Sequence, residues 1–498
     1  MIRDTQGGMG ADTRFATPET DPDHPSAAVT AMMTDLHAFV TSPGNLPLLA
    51  TWLRGEGAGG TVDPNDWTSS AVCSSCHSRI FQDWSNSSHH LMGQSDPYYV
   101  VLEDLAAKSE GEPFRAWCMG CHTPQAALSG ATKTEGPSNL FDKNGAALVA
   151  DLRTYAHSLD EGTSCLFCHR VDKVEDAGGL AGGNASLNVS VHDRPLYPGE
   201  TSDIAALRAF AGRLIRAKPD VHAASFSDPV HGDSKLCATC HEEFAPGTGA
   251  YITDTYQEWA ASSFNAPADP AKNRTCMDCH MHADVAAIGT PVPGYDTDGG
   301  PLEPDVISHA FTGAQYHLVG LRDPHAADQS IALLRTAAKL AVAAPAKDEV
   351  SVRVANVGAG HALPTGVSDF REMWLEVTAT DATGRVVLAS GALDAGGNVP
   401  ADARIFHKVL ADKDAHAVGL EFWRLAKFNV DTRIPADGYR DEGFALPANT
   451  VYPVKVSARL MFRTFPQWIT DMVRVRFPEM PPPVPVDIAD AAATLAGP

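Results

Sequence analysis

Every cysteine in this 498-residue chain falls within one pentapeptide, Cys-x-x-Cys-His, which is written five times between residues 73 and 280. The copies are Cys73/Cys76/His77, Cys118/Cys121/His122, Cys165/Cys168/His169, Cys237/Cys240/His241 and Cys276/Cys279/His280. Two thiols three positions apart can each form a thioether with one vinyl group of a porphyrin, and the histidine that follows then lies under the iron as its proximal axial ligand. Other uses of paired cysteines fit less well. Disulfides favour well-separated partners and give no reason for a histidine after every second cysteine. Zinc sites need such units in pairs, which five copies cannot supply, and iron–sulfur clusters use other cysteine runs. The pattern predicts five covalently bound haem c groups, anchored by the ten cysteines, with His77, His122, His169, His241 and His280 as proximal ligands.

The motif starts are 45, 47, 72 and 39 residues apart, so no fixed repeat follows. An internal echo is nonetheless present. Gln82-Asp83-Trp84-Ser85-Asn86-Ser87-Ser88-His89 follows the first motif, and Gln257-Glu258-Trp259-Ala260-Ala261-Ser262-Ser263-Phe264 follows the fourth. The shared Gln-acid-Trp-x-x-Ser-Ser predicts the same helical turn beside two haems, ending once in a histidine and once in Phe264.

The chain around the motifs divides by pattern. Residues 1–65 read as a loose arm and a short helical hairpin, Ala31–Val40 and Leu46–Leu53, broken by turn residues. Residues 66–325 are loop-rich and poor in large apolar residues, a stretch that needs macrocycles to supply its core. Apolar positions at helical spacing predict a linker helix within 326–348. Alternation at Val350, Val352 and Val354, and again from Val454 to Phe462, predicts strands, and Asp381-Ala-Thr-Gly384 predicts a hairpin turn. The expected fold is multidomain: a loop-rich, mainly α, multihaem cytochrome c domain followed by an antiparallel β-sandwich over 349–475 and a Pro/Ala-rich tail over 476–498.

The net charge of −23 disfavours nucleic acid and anionic membrane surfaces as partners, and serves solubility or the steering of basic proteins. No run approaches the roughly 20 apolar residues of a membrane span. The N-terminal stretch has no apolar core of a signal peptide, while attachment of haem c takes place outside the cytoplasm; a periplasmic or extracellular location is therefore expected, with the export signal not visible in this sequence.

Cys73-Ser-Ser-Cys-His77 with Trp84-x-x-Ser87-x-His89, His231 six residues before Cys237, Cys276-Met-Asp-Cys-His-Met281, and Ser308-His309-Ala-Phe311-x-Gly313 resemble multihaem c-type cytochromes of the cytochrome c-554 and hydroxylamine-oxidoreductase-related class. The resemblance covers about 66–325. Asn356-Val-Gly-Ala-Gly-His361-Ala-Leu-Pro-Thr-Gly366 also resembles the tail domain of some members. The resemblance implies distal ligands at His89, His231 and His309. His157, eight residues before Cys165, is a further candidate, as are His90, His192, His222, His282 and His317. From its setting between Gly358-Ala-Gly360 and Pro364, His361 is expected to reach back and close the sixth site of one haem. Met119 and Met281 are expected to pack.

Closed bis-histidine haems suit electron transfer, whereas an open iron can bind and convert a substrate. The chain departs from the enzymes of that class: it has five haem motifs, not eight, and no motif carries lysine in place of histidine. Electron transfer between unknown donor and acceptor redox proteins is the expected function. An oxidoreductase acting on a small nitrogen or sulfur compound at one open haem, or a homo-oligomeric subunit of a conductive filament or surface complex, are the alternatives.

Overall fold

The computed structural model describes residues 62, 67–129, 159, 161–174, 176, 177, 180, 181, 187–189, 204–246, 248–346 and 348–497. The expected helical hairpin of the N-terminal arm, together with His157 and His192, lies outside the described residues.

Among the described residues from 67 to 323 most helices are short, Pro97–Glu110 and Ala205–Ala217 being the longest. Four motifs end on a helical turn, Arg115–His122, Cys165–His169, Ser234–His241 and Cys276–His280, while the first begins within the 3₁₀ turn Ser70–Ser75. A helical turn puts residues three and four apart on one side, so both thiols and the histidine face the same way. The turns are capped by the residues that precede them: Ser164 accepts from Phe167 N–H, Asp233 from Lys235 N–H and Thr275 from Asp278 N–H.

The C-terminal half is built from ten strands, numbered here within that half: β1 Ala338–Ala343, β2 Glu349–Asn356, β3 Glu372–Thr380, β4 Val386–Ser390, β5 Arg404–Ile405, β6 Lys408–Ala411, β7 Lys427–Asp431, β8 Tyr439–Ala445, β9 Val454–Arg463 and β10 Val486–Leu495. One antiparallel sheet has the order β4-β3-β9-β10, with β5 also on β3, and a second has the order β8-β2-β1. Val350, Val352 and Val354 from the second sheet share one buried cluster with Leu375, Val377, Val456 and Leu460 from the first. The alternation along β9 puts Val454, Val456, Ala458 and Leu460 inside and their neighbours outside.

Three boundaries differ from the expectation. The linker helix is real over Pro324–Ala337, but the chain then turns into β1, whose Leu340 and Val342 pair with Val354 and Val352. The segment Gln467–Arg476, inside the expected sandwich, is a helix that buries Ile469 and Val473 one turn apart. The Pro/Ala-rich tail contains β10, which pairs with β9 along its length. Alanines at 489 and 491–493 carry no strand signal of their own, and it is the exposed edge of β9 that makes them one.

The two halves are joined by buried contacts. Tyr98 stacks on Phe465 with ring centres 3.7 Å apart, and the Lys408 ammonium, almost wholly buried, meets Asp254 at 2.9 Å.

Candidate functional site

One continuous cavity of about 1590 Å³ runs through the chain and is lined by residues of all five motifs. Sites for single drug-sized ligands run to roughly 300–1,000 Å³, so this space suits several large groups. Four of the five motif histidines present themselves to it in one tautomer. Nδ1 of His77, His122, His169 and His280 lies 2.8, 2.6, 2.8 and 2.7 Å from the carbonyls of Asp296, Met92, Phe226 and Thr312. A carbonyl only accepts, so Nδ1 carries the proton and Nε2 keeps its lone pair, which is the arrangement of a metal-ligating imidazole.

Four of these rings face a second imidazole. His77 faces His222 with ring centres 6.2 Å apart, His241 faces His89 at 6.2 Å, His169 faces His309 at 6.3 Å and His280 faces His361 at 6.3 Å. An imidazole nitrogen binds a transition metal at about 2.0 Å and the ring centre lies roughly 1.1 Å behind it, so two rings across one metal stand about 6.2 Å apart. That is too far for contact between rings and leaves room for one metal ion between two facing nitrogens. The planes lie within 15°, 20° and 16° of each other in three pairs and at 39° in the His241/His89 pair. Burial holds His89 and His309 down to about 3 and His241 and His361 to about 4, so these rings are neutral and free to ligate.

His122 is different. Its ring lies parallel to Tyr99 at 4.3 Å, a packing contact, and no imidazole among the described residues faces it at the spacing of the other four.

No family model matches the sequence, and no curated protein matches it. Among solved structures, the penta-heme cytochrome c552 from Thermochromatium tepidum superposes with a TM-score of 0.55 at 21% identity, over 86% of this chain and 100% of that one. The chain shares the fold of that pentahaem cytochrome.

Within this fold, the sequence candidates separate. His89, His309 and His361 each face a motif histidine. His231 does not fit as a distal ligand: its ring is edge-on to His169 at 5.0 Å, Nε2 donates to the Cys168 carbonyl at 2.9 Å, and Nδ1 accepts from Asp228 N–H at 3.2 Å. With both nitrogens engaged on backbone, it closes a capping box with Asp228. His222 takes the place opposite His77, on the helix Asp220–Phe226 whose last carbonyl holds His169. No spacing to a motif marks His222 in the sequence. His90 packs on Trp84 and His317 beside Tyr98, while His282 meets the carbonyls of Asp284 and Thr290. Met119 is wholly buried.

The cysteine sulfurs also meet across motifs. The Cys73 thiol interacts with Cys165, Cys121 with Cys240, and Cys237 with Cys276, while Cys168 lies near Cys240. The cysteine pairs are therefore neighbours in the order first, third, fourth and fifth motif, with the second beside the fourth.

The sequence echo is a structural repeat. Trp84 Nε1 donates to the carbonyl of Thr163 at 2.8 Å, and Trp259 Nε1 to that of Arg274 at 2.8 Å; each acceptor stands two residues before the first cysteine of a partner motif. Cys165 N–H donates to Ser70 Oγ at 3.1 Å and Cys276 N–H to Ser234 Oγ at 3.2 Å, each serine standing three residues before the first cysteine of the leading motif. The first and third motifs thus form one unit, and the fourth and fifth form a second built the same way.

Proposed function

We propose that this chain is a pentahaem c-type cytochrome that transfers electrons outside the cytoplasm between redox proteins. The four imidazole pairs at the separation of two axial ligands carry this reading. His77/His222, His241/His89, His169/His309 and His280/His361 would each hold one haem closed on both faces, a ligation suited to electron transfer. Bound haem supplies the Fe(III)/Fe(II) couple. The chain's own residues fix the spacing, exclude water and set the local charge around each site.

The cross-motif cysteine neighbours support a path that follows the order first, third, fourth and fifth motif, with a branch to the second at the fourth. This order departs from the sequence and passes through the contact between the two units. A β-sandwich made by the two sheets contributes His361 and so belongs to the haem-binding body.

Mass spectrometry after acid–acetone extraction and electron paramagnetic resonance of the oxidised protein test the reading together. Five retained haem additions with at least four low-spin haems are expected. Free thiols at any motif, or fewer than four low-spin haems, would overturn it.

A further inference from the structure

The acid of the repeated Gln-acid-Trp segment has the same neighbour in both units. In the first, Ser308 Oγ donates to Asp83 Oδ2 at 3.0 Å, and Ser308 immediately precedes His309. In the second, Ala362 N–H donates to Glu258 Oε2 at 3.0 Å and Thr365 Oγ1 donates to the same oxygen at 2.7 Å; Ala362 immediately follows His361. His309 and His361 face His169 and His280, the histidines of the second motif in each unit.

The two histidine-bearing segments have nothing else in common. Ser308–His309 lies in a loop tied to the fifth motif by Ser308 N–H donating to the Met281 carbonyl at 2.8 Å. His361 comes from the loop between β2 and β3, in the other half of the chain. Two unrelated pieces of backbone are thus gripped by equivalent carboxylates, each one residue before the tryptophan that fixes its helix to the partner motif. Each carboxylate is itself held by a guanidinium, Asp83 by Arg79 at 3.1 Å and Glu258 by Arg433 at 2.6 Å.

We propose that Asp83 and Glu258 are positioning residues that aim His309 and His361 at the irons of the third and fifth motifs. This rests on the ligand reading given above. A carboxylate suits the task because it accepts several hydrogen bonds at once from a loop and anchors them to a rigid helical turn. The loop at His361 has further supports: Asn356 Nδ2 donates to the His361 carbonyl at 2.7 Å, and Gly360 sits so close that a Cβ would stand 3.0 Å from Trp259. The acidic residue is the one support the two units share.

The test uses the intact holoprotein and carbon monoxide binding by the reduced form, which counts haems with an open or displaceable face. His361→Ala and His309→Ala should each create one CO-binding haem of the five, and if neither does, the ligand reading fails. Given that result, Glu258→Ala should open the same haem as His361→Ala and leave the His309 haem closed, while Asp83→Ala does the reverse. Glu258→Gln, which still accepts both hydrogen bonds, should keep that haem closed. Asp437→Ala removes a different contact between the same halves, the bonds Asp437 accepts from Ser263 N–H and Oγ–H at 2.7 and 2.6 Å, and should open nothing. If Glu258→Ala leaves all haems closed, disturbs several alike, or is matched by Asp437→Ala, the positioning role is refuted. Should Glu258→Ala not accumulate, Asp83→Ala decides by whether the His309 haem alone opens or none does.

Discussion

His280 and His361 face each other at 6.3 Å with their planes 16° apart, one from the last of the five motifs and the other from a loop of the β-rich half. The pairing brings a residue of that half into the cavity lined by all five motifs. His361→Ala is expected to convert one low-spin haem to high-spin, read by electron paramagnetic resonance, with the remaining closed haems unaltered. A spectrum identical to that of the parent protein would remove His361 from the ligand set.

His222 and His231 make opposite predictions. His222→Ala should open the haem of the first motif, because it removes the ring facing His77. His231→Ala should leave the number of low-spin haems unchanged and lower thermal stability instead, by about 0.5–2 kcal/mol for a lost capping interaction. The reverse outcome would restore His231 as a ligand.

The 39° twist between His241 and His89 distinguishes one haem from the other three. Near-parallel axial rings split the iron d orbitals more strongly than twisted ones. The fourth motif's haem should therefore show the largest g value of the four closed haems, and that feature should vanish in His89→Ala. Its persistence in that variant would break the pairing.

Gly162 adopts φ +65°, and a Cβ there would lie 2.1 Å from the His89 carbonyl. Thr163 N–H donates to the same carbonyl at 2.8 Å, so the approach is part of how His89 is held. Gly162→Ala should cost about 1–3 kcal/mol from the backbone conformation alone. The steric clash adds to this and should disturb the His89 haem first. An unchanged melting curve and spectrum would contradict the close approach.

The hairpin turn offers a pH test away from the haems. Asp381 Oδ1 accepts from Thr383 Oγ1–H at 2.6 Å, Thr383 N–H at 2.9 Å and Arg385 N–H at 3.1 Å, which holds the carboxyl down to about 2 from its ordinary 3.8. A folded-state value below the unfolded one contributes stability that is present above the unfolded value and lost as pH falls toward about 2. Asp381→Asn should therefore be less stable than the parent at pH 7 in urea titrations, with the gap narrowing as pH drops below about 4. A gap independent of pH would show that the charge plays no part.

What could be read from residues alone follows how local the signal is. The five motifs carry two thiols and a histidine within five positions, the strands β2 and β9 announce themselves by alternation, and β3 and β4 by the turn between them. The echo of Gln-acid-Trp was legible because the same contacts demand the same residues twice. His222 stands out no more than the other further candidates in the sequence, since its place opposite His77 depends on how the helix Asp220–Phe226 packs, and nothing near it in sequence records that. His231 misled for the complementary reason: proximity along the chain to Cys237 says nothing about which way the ring points, and the backbone groups of Asp228 and Cys168 claim both its nitrogens. The glycines before His361 were read as sources of backbone freedom. Gly358 and Gly360 do not take a positive φ, and their value is in close approach, with a Cβ on Gly358 only 2.1 Å from the Thr336 carbonyl.

The distances along the chain between facing histidines set an order of arrival during synthesis. His241 finds His89 already made when it emerges, but His77 waits for His222, His169 for His309, and His280 for His361. Contacts this remote must close long loops before they yield anything, which slows folding. On the proposed reading, haem attachment needs only the pentapeptide and would run ahead of folding at every motif. A chain interrupted before residue 361 is chemically distinct from a finished one, because it carries His280 with nothing opposite.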